Sequence, residues 1–158
     1  MDTIIDTRTL RLVHIFDAPI ERVFAAWTDP EQFKQWMCPA GFRLDHCELD
    51  PRTGGVWRVH GYKPDGSPFA KSGVYREVKR PGRLVFTWGH HEDDCFASMR
   101  GHETTVELTF RALGGTTELT LVHGPFVDLT TRNGHNEGWT GCFEKLDAFL
   151  DAGTGTGV

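Results

Sequence analysis

The chain has no run of lysines and arginines. With 17 basic residues against 22 acidic ones, a formal net charge of -5 and a pI near 5.9, it offers none of the clustered cations that nucleic acid or an anionic membrane surface requires. No apolar run approaches the roughly 20 residues of a membrane span, and residues 1–16 lack the basic-then-apolar layout of a signal peptide. The expected compartment is the cytoplasm. Cysteine is sparse: Cys38, Cys47, Cys95 and Cys142 form no CxxC and no tight pair, so free thiols packed as small apolar residues are expected rather than disulfides. Signatures of covalent catalysis are missing too. There is no G-x-S-x-G and no cysteine with evident histidine support, and Gly54-Gly55 lacks the lysine and helix start of a phosphate loop. His90-His91-Glu92-Asp93-Asp94-Cys95 carries metal-type donors, but neighbours on an extended segment point opposite ways and no familiar zinc spacing is present. A solvated acidic loop is expected there, with no metal and no cofactor.

What is present suits one domain with its own core: 158 residues, 39% hydrophobic and 25% charged. The expected domain covers residues 8–151, with flexible tails at 1–7 and 152–158, the latter rich in glycine and threonine. Thr9 to Phe16 reads as a strand. Ile20, Val23, Phe24 and Trp27 follow the helical i, i+3, i+4, i+7 template, with Pro19 and acidic neighbours at the helix start. Asp29 as N-cap, Pro30 at N1 and Gln32 at N3 predict a capping box opening a second short helix, whose apolar side is Phe33, Trp36 and Met37. From Phe42 the period drops to two. Strands are expected over 42–50, 56–62, 72–78, 83–88, 104–110 and 117–123, separated by Gly- and Pro-rich turns, and strands so joined make an antiparallel sheet with one wet face. The dry face needs a cover. Residues 133–150 supply it, because Trp139, Phe143, Leu146 and Leu150 recur at spacings of four, three and four and share one helical face. Residues 89–102 and 124–132 are longer connections of the kind that form rims and lids.

Certain segments carry a resemblance. Phe16-Asp-Ala-Pro-Ile-Glu-Arg-Val-Phe-Ala-Ala-Trp27, then Trp36, Gly54-Gly-Val-Trp-Arg58, Gly73-Val-Tyr75, Arg83-Leu-Val-Phe-Thr-Trp88 and Gly138-Trp139 follow one another in an order and spacing that resembles the family of activator-of-heat-shock-protein-ATPase homologues. That family lies within the SRPBCC superfamily, beside START lipid-transfer domains, polyketide cyclases and birch-pollen-allergen-like proteins. The likeness runs from about Leu10 to Leu150. It implies an α+β helix-grip fold: a curved antiparallel sheet of six or seven strands around a long C-terminal helix, with two short helices between the first two strands. It also implies a cavity between sheet and helix that takes an apolar or aromatic small molecule. It implies no particular reaction, because fold alone does not supply one.

The residues that can line such a cavity are Trp36, Phe42, Trp57, Tyr75, Phe86, Trp88, Phe110 and Trp139. Any one of them reads as core, but a core built from so many rigid rings with little aliphatic filler is hard to close, and apolar pockets are lined this way. His123 ends the last strand, and His135 lies one helical turn before Trp139 on the same face. Two imidazoles near one mouth can orient a polar group of a ligand. Arg58 and Arg76 have strand parities that face water, and Arg100 lies in the long 89–102 segment. The expected function is small-molecule binding, with no catalytic residue assigned. Two alternatives stand beside it: a cyclase- or hydrolase-like enzyme using His or Tyr75 in the same cavity, and a co-chaperone-like ATPase regulator with a chaperone partner. A homodimer is compatible with the sequence, and neither nucleic acid nor membrane is an expected partner.

Overall fold

In a computed structural model, residues 8–37, 41–90 and 102–156 are described. Seven strands, β1 (Leu10–Phe16), β2 (Arg43–Leu49), β3 (Val56–Tyr62), β4 (Pro68–Lys79), β5 (Arg83–His90), β6 (Glu103–Leu113) and β7 (Thr116–Gly124), make one antiparallel sheet in the order β1-β7-β6-β5-β4-β3-β2. Helices α1 (Ile20–Thr28) and α2 (Pro30–Trp36) fill the connection from β1 to β2, and α3 (Leu129–Thr156) follows β7. This is the expected helix-grip architecture. Consecutive strands from β2 to β7 are neighbours, and β1 closes against β7 from the far end of the sequence. The β6–β7 turn is the two-residue hairpin Gly114-Gly115, with Gly114 at φ +72°, a conformation glycine adopts at no steric cost.

Register explains which faces are dry. Tyr75 pairs with Phe86, Phe86 with Val106, Val106 with His123, and His123 with Leu10. All five are buried, so this row crosses the inner face of the sheet from β4 to β1. Their neighbours one residue along, such as Arg76, Thr105 and Arg11, are partly or fully exposed, which is the period-two alternation of a one-sided sheet. The stripe on α3 lands on that face: Trp139, Phe143, Leu146 and Leu150 are each at most 4% exposed. Toward its end α3 is tied down from two sides. The His14 Nε2 meets the Asp147 carboxylate at 2.9 and 3.1 Å, and Arg22 donates to the Leu150 carbonyl at 2.8 Å.

Three local readings change. The first concerns α2, where Asp29 Oδ1 accepts from the Glu31 N–H at 3.0 Å as a cap should. Gln32, however, donates to the Asp29 carboxylate instead of accepting from the Asp29 backbone N–H, because that N–H is already spent on the Ala25 carbonyl of α1. The second is the start of α3, at Leu129 and not at Asn133. Asp128 sets that boundary by accepting from the Thr131 N–H at 2.8 Å and from its hydroxyl at 2.9 Å. At its other end α3 continues past Leu150 to Thr156. The third is β4, which extends the 72–78 reading in both directions because it pairs along its length with β3 and β5. The His90–Cys95 donors lie outside the described residues except for the His90 backbone ending β5, as do Arg100, Cys38 and Cys95. Cys47 and Cys142 are free thiols.

Candidate functional site: a tryptophan-lined interior

All five tryptophans of the chain meet under α3. They form a continuous line, one from each of five elements. Trp36 of α2 packs on Trp27 of α1 at 4.6 Å between ring centroids, Trp27 on Trp139 of α3 at 5.8 Å, Trp139 on Trp88 of β5 at 5.5 Å, and Trp88 on Trp57 of β3 at 5.2 Å. Each ring brings an indole N–H, which requires an acceptor when buried. Trp36 donates to the Ala26 carbonyl at 3.1 Å. Trp57 donates to the Thr87 carbonyl at 2.9 Å, and local backbone arrangement makes that bond available. Between the pairs Ser72–Gly89 and Tyr75–Phe86 the β4–β5 ladder is interrupted, and the Val74 N–H turns to the Thr87 hydroxyl at 2.9 Å. The Thr87 carbonyl is thereby left for Trp57, which reaches it over Gly73. A Cβ at Gly73 would collide with both that carbonyl and the Trp57 ring.

Trp139 donates to His123 Nδ1 at 3.0 Å. A neutral His123 that accepts at Nδ1 carries its proton on Nε2, and that nitrogen faces the Thr104 hydroxyl at 2.7 Å. Thr104 in turn is within 3.4 Å of the Trp88 carbonyl. His123, Thr104 and Trp139 are all buried, so β6, β7 and α3 share one polar knot inside an aromatic setting. His135, half-buried, donates from Nδ1 to the Thr131 carbonyl at 2.8 Å and stands edge-on to His123 at 5.6 Å. Phe126 packs against both imidazoles, at 4.7 and 4.6 Å. The two histidines do converge at one end of the interior, as their positions in sequence suggest.

Two indole donors are left over. Among the described residues, Trp27 Nε1 and Trp88 Nε1 are buried with no hydrogen-bond partner. Their rings lie on either side of Trp139 in the line of contacts. At the other end of the interior, burial raises the Tyr75 phenol above its ordinary pKa, and it pushes the Cys47 thiol up to about 11. Both are therefore uncharged near neutral pH. Among the described residues, no group of three or more His, Cys, Asp or Glu side chains is arranged to hold a metal ion. The interior can thus offer N–H donors and ring faces, while both His123 nitrogens are already engaged within the protein.

This geometry can be set beside known proteins. Residues 17–151 match the family described as "Activator of Hsp90 ATPase homolog 1-like protein". The chain belongs to that family. The crystal structure of the AHSA1 protein from Silicibacter pomeroyi is 33% identical, with a TM-score of 0.79, covering 91% of this chain and 98% of that one. A Chromobacterium violaceum protein of 26% identity superposes with a TM-score of 0.76, covering 90% and 96%. One from Nitrosomonas europaea, at 23% identity, reaches 0.78 over 96% and 99%, a likeness that concerns the fold alone. No curated protein matches the chain.

Within this AHSA1-family domain the ten candidate residues fall into three groups. Trp57, Tyr75, Phe86, Trp88, His123 and Trp139 share the inner face and touch in sequence, Phe86 lying 5.6 Å from Trp57 and 6.0 Å from Tyr75. Trp36 and His135 stand at the margins of that cluster, Trp36 joined to it through Trp27. The remaining two lie outside that line of ring contacts, though Phe110 belongs to the same buried core. Phe110 packs against Phe24 of α1 at 5.3 Å, and half-buried Phe42 packs against Phe69 at 5.6 Å, where β4 begins. Reading for strand parity missed Trp27, Thr104 and Phe126. Trp27 was legible as the i+7 member of the α1 stripe, which points at the same interior as the strands do.

Proposed function

We propose that this AHSA1-family domain is a cytoplasmic binding protein for a small, largely apolar or aromatic molecule held between the sheet and α3. The observation that carries the reading is the pair of unpartnered indole N–H groups of Trp27 and Trp88, on either side of Trp139. A buried donor left unsatisfied costs about 1–3 kcal/mol, so native interiors rarely keep one without a reason. A planar ligand with a hydrogen-bond acceptor would remove that cost while stacking on ring faces that already meet at offset and edge-on angles. Trp139 would have to yield space, since its ring packs on both of these indoles. The rival enzyme reading draws less support: His123 is held at both nitrogens, and burial keeps Tyr75 and Cys47 protonated.

The test is a matched pair, acetonaphthone and ethylnaphthalene, which differ chiefly in one carbonyl oxygen. The ketone is expected to raise the melting temperature more, approaching about 2.7 kcal/mol of stabilisation at a hundredfold excess over its Kd. Trp88→Phe and Trp27→Phe should each narrow the gap between the two compounds. If neither compound shifts melting or quenches tryptophan fluorescence up to its solubility limit, the reading is wrong.

A further inference from the structure

The open edge of the sheet carries a second, polar feature. Where β1 begins beside the first turns of α3 lies a groove of about 250 Å³ lined by Thr9, Leu10, Arg11, Arg132, Asn133 and Asn136. It presents two guanidinium groups, two carboxamides and a hydroxyl, with no carboxylate in its lining. In a chain of net charge -5 this is a local reversal of sign. Arg132 donates from Nε and Nη2 to the Asn133 Oδ1 at 3.2 and 2.9 Å, which orients the guanidinium plane and occupies the amide oxygen. Both arginines make further contacts, but a guanidinium has five N–H donors in a planar fork, enough to share between protein and ligand.

The groove adjoins the histidine end of the interior. Leu10, 4% exposed, belongs both to its lining and to the core cluster, and its register partner on β7 is His123. Arg132 and Asn136 bracket His135 along α3. A molecule whose apolar body lay among the rings could therefore carry a polar end past Leu10 to the two arginines.

We propose that the ligand is an apolar monocarboxylic acid, its ring or chain inside and its carboxylate between Arg11 and Arg132. This rests on the reading of an interior binding site and specifies the ligand of that same site. Carboxylate and guanidinium match as parallel N–H···O pairs, and such charge-assisted bonds are about twice as strong as neutral ones.

Calorimetric titration of the full chain with two acid–alcohol pairs tests it: naphthylacetate with naphthylethanol, and decanoate with decanol. Each acid is expected to bind about tenfold more tightly than its alcohol at low ionic strength, an advantage that fades as salt screens the charges. Arg132→Gln and, independently, Arg11→Gln should each reduce that advantage severalfold, weakening the acid far more than the alcohol. Equal binding of acid and alcohol by the wild-type chain, or an advantage that survives both substitutions, would overturn the acid assignment and leave the interior site standing. If none of the four compounds binds, both the site and the assignment fall.

Discussion

Trp139 is the residue on which fold and site both depend. It buries its ring against Trp27, Trp88 and Phe143, and its indole N–H ties α3 to the polar knot at His123. Trp139→Ala removes that packing and leaves His123 Nδ1 short of a donor, so a loss of about 3–5 kcal/mol is expected, the range for large-to-small core changes. Urea unfolding at neutral pH measures it. A much smaller loss would mean that the ring walls a hole rather than filling one. Cys47 makes a pH prediction with a definite sign. Its folded pKa is raised by burial to about 11, so the thiol stays protonated in the fold after the unfolded chain has begun to release its proton. The stability this contributes is complete below the ordinary thiol range, roughly 8.5 to 9, and declines as pH rises from there towards 11, because the unfolded state then binds fewer protons. Cys47→Ala should flatten that alkaline decline. If melting curves of the two proteins fall in parallel over this window, burial is not what holds the thiol.

At the scale of elements, the most exposed dependency is the passage of Trp57 over Gly73. Gly73→Ala inserts a methyl where the Thr87 carbonyl and the indole already stand. Either the β4–β5 ladder shifts or the Trp57 N–H loses its acceptor, and overpacking of this kind costs about 1–3 kcal/mol. Denaturant unfolding together with near-UV circular dichroism checks it. A variant as stable as the parent would show that β4 can retreat. The strands themselves were legible because β6 and β7 alternate cleanly, Val106, Leu108 and Phe110 inward against Thr105, Glu107 and Thr109, and the α3 stripe was legible by its period. The start of α3 was not. Leu129 is 50% exposed and the first turn has no apolar rhythm, so the boundary is set by hydrogen bonds to Asp128, which periodicity cannot register. Those same bonds hold the Asp128 carboxyl below its ordinary pKa, the backbone N–H of Thr131 foremost. Their contribution is present above the usual carboxylate range and lost as pH falls below it. Asp128→Ala should therefore lower the melting temperature at neutral pH and do so less in acid. An equal effect at both would rule out the cap.

For the molecule as a whole, helix and sheet have to part somewhere if anything is to enter between them, and the composition of α3 indicates where. Its first half contains Gly134, Gly138 and Gly141, each worth roughly 1 kcal/mol less helix stability than alanine. Its second half is glycine-free from Cys142 to Ala152 and is fixed by His14 to Asp147 and by Arg22 to Leu150. The individual rings of the site could be nominated from sequence, but this asymmetry needed the pairings as well, since neither His14–Asp147 nor Arg22–Leu150 joins residues that any local pattern links. Local opening draws on the least stable segment first. Amides of residues 129–141 are thus expected to exchange faster than those of 142–152, by tenfold or more if the helix half opens as a unit by about 1.4 kcal/mol more readily. Opening there uncovers the end of the interior where Leu10, His123 and His135 meet, the same end at which the arginine groove lies. Hydrogen exchange read by mass spectrometry, with and without naphthylacetate, measures both halves in one experiment. Binding should slow exchange in the first half and leave the second nearly unchanged. Uniform protection along α3, or slowing confined to residues 142–152, would place the entrance at the opposite end, under Tyr75 and Cys47.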